Sequence, residues 1–174
     1  MREFDNNGLR LAEYQGKLFE KSYDFFECST SIFMRRFYYS DLLKTIDKND
    51  SSLLSLDPID GLESIKNQFG ESSYGKIKKN KEALFWVGYL YRYISYTRNT
   101  NTRFLMKIFN YEKLFELFYV YHTQDLEWCV ENILEIYGYT VDIFDPNYRL
   151  KEVIRKNSLN EKLPNSTIQD NLPL

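Results

Sequence analysis

Residues 82–103 read EALFWVGYLYRYISYTRNTNTR, and how they fold decides the fold of the chain. Tyr89, Tyr91 and Tyr93 alternate with Leu90, Arg92 and Ile94, which by itself suits a strand. Length decides against it. The apolar run exceeds an ordinary strand and no turn residue cuts it, so the stretch predicts a helix from Asn80 to Arg98. On a helical wheel Phe85, Trp86, Tyr89, Tyr93 and Tyr96 share one broad side, and Ala83, Val87, Leu90 and Ile94 the opposite one. A helix apolar on two sides packs neighbours on both and sits centrally. Lys81, Gly88, Arg92, Ser95 and Asn99 fall on one flank between them. That flank is expected to be the helix's only polar exit, with Arg92 in a notch between Gly88 and Ser95.

Working outward, Phe19, Tyr23, Phe26, Thr30, Phe33 and Phe37 recur at three- and four-residue steps, so Tyr14 to Asp47 reads as helical. Cys28-Ser-Thr-Ser31 breaks it, and Ser40 caps a short continuation. Residues 1 to 12 read as a polar lead-in, and Lys48 to Leu56 as a loop. Asp57-Pro58-Ile-Asp60 is a strong helix start, with Gly70 as the stop. Gly70 to Lys81 reads as a basic loop. Thr102 to Phe109 and Tyr111 to Tyr121 read as helices, the second capped by Asn110. Thr123 is expected to cap Gln124 to Tyr137, ended by Gly138. Thr140 to Phe144 looks strand-like, and Tyr148 to Lys156 helical. The prediction is a mostly α-helical, bundle-like domain of about six helices over residues 1–156, with a polar mobile tail over 157–174.

The chain has 174 residues, net charge −2, 28% charged and 17% aromatic residues, with fifteen Tyr and thirteen Phe. That length supports a core without staples, and that charge gives no overall pull toward nucleic acid or anionic membrane. Few glycines and prolines speak against a turn-rich β fold. Cys28 and Cys129 make neither a disulfide framework nor a metal spacing. With a single histidine in the chain, no metal or cofactor is expected. No apolar run marks a signal peptide or a membrane span, so the expected compartment is the cytoplasm.

Candidate chemistry is sparse. Gly70-Glu-Ser-Ser-Tyr-Gly75-Lys76-Ile77 nearly spells a phosphate-binding loop, but Ile77 stands where a magnesium-binding hydroxyl belongs, and a helix precedes it. Lys76, Lys78, Lys79 and Lys81 form a basic cluster beside Arg92, Arg98 and Arg103. Arg92 reads first as a structural arginine, stacked on a tyrosine and paired with a carboxylate; the other reading is an anion anchor. His122 reads as a helix-boundary histidine, with a general base oriented by Asp125 as the alternative. Residues 99–122 outline a helix-turn-helix, yet the second helix offers little base-reading chemistry.

Leu84–Thr97, LFWVGYLYRYISYT, and the downstream Tyr121-His122-Thr-Gln-Asp125 resemble a set of small proteins of Gram-positive bacteria and their mobile elements. The resemblance covers roughly residues 20–137. It implies a partner of toxin-type genes, an antitoxin for instance, and carries no active site with it. The expected function is a non-catalytic cytoplasmic interaction protein, the antitoxin or immunity partner of a toxin-like enzyme. Its expected contact residues are Lys81, an exposed Tyr91, Arg92, Tyr96, Arg98, Arg103 and His122, because Arg and Tyr dominate binding hot spots. The alternatives are a nucleic-acid-binding regulator using residues 76–81 with Arg92, Arg98 and Arg103, and an enzyme acting on a nucleotide or phosphate ester.

Overall fold

The computed structural model describes residues 1–49 and 55–160. Among these the chain is all-α, with no strand. The helices are α1 (Asn6–Phe25), α2 (Thr30–Tyr39), α3 (Asp41–Ile46), α4 (Pro58–Phe69), α5 (Lys81–Thr97), α6 (Thr102–Ile108), α7 (Tyr111–Tyr121), α8 (Leu126–Ile136) and α9 (Tyr148–Asn160). Short helices make the number exceed six. Residues 50–54 of the expected loop, and 161–174 of the expected tail, lie outside the described residues. Residues 157–160 belong to α9 rather than to the tail.

Side-chain caps set most helix starts. Asp57 and Asp60 form a reciprocal capping box at α4, with Pro58 at the first helical position. Asn80 accepts from Ala83 N–H at 2.8 Å, Asn101 from Phe104 N–H at 2.7 Å and Asn110 from Glu112 N–H at 2.9 Å. α8 departs from expectation. Its cap is Asp125, which accepts from Trp128 N–H at 3.0 Å, because residues 122–125 still turn away from α7. Residues 141–144 form a 3-10 turn instead of a strand, closed by Ile143 N–H to Thr140 C=O at 3.1 Å.

The polar lead-in is replaced by structure. Asp5 caps α1 through Gly8 N–H at 2.8 Å, and Leu11 and Ala12 are buried. Residues 1–5 fold back over the end of α5. Arg2 N–H donates to Thr97 C=O at 2.8 Å, and Phe4 packs edge-on against Tyr93 with ring centroids 4.8 Å apart. The low hydropathy of MREFDNNGLR hid a helix start whose apolar face begins only at Leu11.

α5 is the centre of the molecule. α1 lies along one side, and α6 and α7 pack on others; α4 lies against α1. The α1–α5 crossing is close because it is built on glycines. A Cβ on Gly88 would sit 2.8 Å from the Gln15 carbonyl oxygen and 2.8 Å from Phe19 Cγ, and one on Gly16 would sit 2.9 Å from the Phe85 ring. The segment 70–80 is extended and works as a strap. Tyr74 and Ile77 carbonyls accept from Ser29 and Thr30 N–H at 3.1 Å, serving the start of α2. Lys78 Nζ donates to Tyr23 and Phe26 carbonyls, both at 2.6 Å, closing the end of α1.

Candidate functional site

The expected polar flank of α5 is exposed only at its two ends, Lys81 and Asn99, and enclosed between them. Gly88 and Ser95 are buried, and Arg92 is 0% exposed. Gly88 meets α1, while the guanidinium reaches α3 and α6. Nη1 donates to Ile46 C=O and Asn49 Oδ1, both at 2.9 Å; Nη2 donates to Asp47 Oδ1 at 2.5 Å and to the Thr102 hydroxyl. Asp47 also accepts from Thr102 N–H at 2.7 Å and Arg103 N–H at 3.2 Å, so one carboxylate serves both Arg92 and the first turn of α6. Burial lowers the Arg92 pKa and Asp47 opposes it; an arginine starts high enough to stay charged. This is a tether joining three helices.

The other expected contact residues are spread over the molecule. Tyr91 is fully buried, not exposed, and its hydroxyl donates to Phe109 C=O at 2.7 Å. Tyr96 is buried too, donating to Asp5 at 2.7 Å beneath the Arg2 guanidinium. Lys81, at the opposite end of α5, pairs with Asp24 at 2.5 Å, and that bond raises its pKa. Arg98 pairs with Glu127, which also accepts from the Tyr93 hydroxyl at 3.1 Å. Arg103 donates to Ser40 C=O at 3.3 Å and lies over Tyr38. His122 stacks on Phe118 at 4.5 Å, and its Nδ1 lies 2.8 Å from Phe118 C=O. No common surface unites them; in the basic cluster Lys78 is bonded to the end of α1 and Lys81 pairs with Asp24 at the surface, while Lys76 is exposed without an ion-pair partner among the described residues.

Clefts and thiols offer little to a small ligand. A cleft of about 810 Å³ lies between the end of α3, the α5–α6 turn and residues 139–148. Its charged groups are engaged, Asp47 as above and Asp145 with Lys151 at 2.6 Å, and Asn101 is held in the α6 cap. Cys28 and Cys129 are buried free thiols whose pKa values burial raises, which works against a thiolate nucleophile. Among the described residues no group of three His, Cys, Asp or Glu is placed to hold a metal.

The surface of α7 and α8 is different. The helices run antiparallel: Tyr137 at the end of α8 donates to Asn110 C=O at the start of α7, and Trp128 meets Tyr121 edge-on at 5.5 Å. Their inner positions, Leu114, Phe115, Phe118, Cys129, Val130, Ile133 and Leu134, fill the core. Outward they present Tyr119 (70% exposed), Val120 (62%) and Trp128 (47%). Glu112 and Glu116 precede Tyr119 by seven and three residues on the outward stripe of α7, and Glu131 and Glu135 follow Trp128 by three and seven on that of α8, all exposed. Lys113 pairs with Glu116 at 3.1 Å, whereas Glu112, Glu131 and Glu135 have no ion-pair partner among the described residues. Residues 111–145 hold eight carboxylates and one lysine. No motif marks these residues in the sequence; their only signal there is the excess of carboxylates over residues 111–145.

Comparison with known protein families, curated proteins and solved structures finds no match.

Proposed function

We propose that the chain is a non-catalytic protein-binding module, of the antitoxin or immunity type that binds and restrains a toxin-like enzyme. The observation that carries this reading is the outer face of α7 and α8, where Tyr119, Val120 and Trp128 stand in solvent among carboxylates. Large aromatic side chains with exposed apolar area are the usual anchors of a protein interface. The resemblance of Leu84–Thr97 to proteins encoded beside toxin-type genes supplies the class of partner. The nucleic-acid alternative loses support because Lys78, Lys81, Arg92, Arg98 and Arg103 are bonded within the fold. Co-expression with the product of the adjacent gene tests the proposal. A single co-eluting complex, and growth restored where that product alone arrests it, is the expected result. Two independently eluting proteins with no rescue of growth would overturn it.

A further inference from the structure

We infer that the occupant of the α7–α8 face is a protein surface rich in Lys and Arg around an apolar centre. The inference rests on the reading of the chain as a protein-binding module and adds the chemistry of the partner. Charge complementarity carries it. Glu112, Glu131 and Glu135 are exposed and lack internal cations, and Lys113 is already paired. A face of that sign repels an acidic partner and is blind to a neutral one, whereas a basic surface is drawn in and oriented by it. Trp128 gives the apolar contact on the same stripe of α8 as Glu131 and Glu135, half-exposed and held edge-on by Tyr121, so little side-chain freedom is lost when it is covered. The acidity is local. Residues 66–110 hold nine Lys and Arg against two carboxylates, so the net charge of −2 conceals a strongly acidic hairpin.

The full-length chain, fluorescently labelled, is titrated by anisotropy with a synthetic amphipathic Lys/Leu peptide and with its Glu/Leu counterpart. The Lys/Leu peptide is expected to bind and the Glu/Leu peptide not to. Glu131→Lys with Glu135→Lys should weaken binding about tenfold or more, and Trp128→Ala should do so even where salt screens the charges. Glu3→Lys with Glu63→Lys makes the same change in net charge at other exposed sites and should leave affinity within about twofold. Far-UV circular dichroism confirms that each variant is folded. Equal losses from the two double variants would mean a general charge effect and would overturn the inference. So would a self-associated wild-type chain that Glu131→Lys with Glu135→Lys dissociates, since a second copy would then be the occupant. The two ideas fail separately. If the adjacent gene's product forms no complex with the wild-type chain, the protein-binding reading falls. If a complex forms and survives Glu131→Lys with Glu135→Lys, only the basic-surface inference falls.

Discussion

Arg92 shows what one residue type can mean in two environments. A wheel drawn on α5 gives its angular position, not what lies opposite. Its carboxylate is 45 residues earlier in the chain, on the turn after α3, and only folding brings the pair together. The two halves of the pair are unequally buried. The Arg92 side chain is 0% exposed and that of Asp47 13%, so the consequences of removing each differ. Asp47→Ala leaves a guanidinium charge without its counter-ion and the Thr102 and Arg103 N–H groups without their acceptor; it should cost about 3–5 kcal/mol in urea denaturation. Arg92→Met leaves a carboxylate at the rim that still accepts two backbone N–H groups, and should cost less. The reverse order would show that the pair is not the tether described. Tyrosines set the alkaline limit. Burial pushes Tyr14 and Tyr137 up to about 12, from about 10 when unfolded. A folded pKa above the unfolded one means stability that is fully present below pH 10 and lost as pH rises through 12. The last part of the phenolate absorbance change should therefore coincide with the loss of helical ellipticity between those values. Phenolate formation complete near pH 10 with ellipticity intact would contradict this. The Tyr14 hydroxyl is also buried with no hydrogen-bond partner, so Tyr14→Phe should leave stability unchanged or raise it by about 1 kcal/mol.

At the scale of elements, local chemistry was legible wherever a cap or a glycine stated it. Asp57-Pro58, Asn80, Asn110, Gly70 and Gly138 mark helix ends in the sequence and do so in the structure. Two elements were illegible for physical reasons. The start of α1 is polar because its exposed positions come first. The segment 70–80 carries no pattern because its order comes from bonds to the ends of α1 and α2. What a sequence does not disclose is why a helix contains a glycine, and the α1–α5 crossing answers for two. At Gly88 a methyl group would collide with a backbone carbonyl, which cannot give way; at Gly16 it would meet the ring of half-buried Phe85, which can. Alanine gains about 1 kcal/mol of helix propensity over glycine in either place. Gly16→Ala should therefore be near neutral, while Gly88→Ala should lose about 1–3 kcal/mol net through overpacking. Thermal or urea denaturation of the two variants checks this. Equal effects would mean that the crossing is looser than its distances imply.

At the scale of the whole molecule, charge is segregated along the chain and then treated unequally by the fold. Residues 66–110 are basic and 111–145 acidic. The sequence drew attention to the first block because arginines stand out among rings. Folding uses most of that block internally. Lys66, Lys81, Arg92 and Arg98 pair with carboxylates, Lys78 closes α1, and Lys79 lies over Phe115. Lys76 and Lys107 are the exposed members without an ion-pair partner among the described residues. The acidic block puts Asp125 in the α8 cap and Glu127 on Arg98, but leaves Glu112, Glu131 and Glu135 exposed and without an ion-pair partner among the described residues. Position along the chain is visible in a sequence; the partner that cancels a charge is not, which is why the basic block looked like a site and the acidic one did not. A polyanion should therefore find little to hold. Each phosphate contact contributes close to one unit to the slope of log affinity against log salt. With two free cations in this block, its slope should stay near or below about two, and single-stranded and duplex DNA should bind weakly even at low salt. Anisotropy titrations between about 50 and 200 mM salt measure this directly. A slope of about five or more would mean that cations beyond these two reach phosphate, and the nucleic-acid reading would have to be considered again.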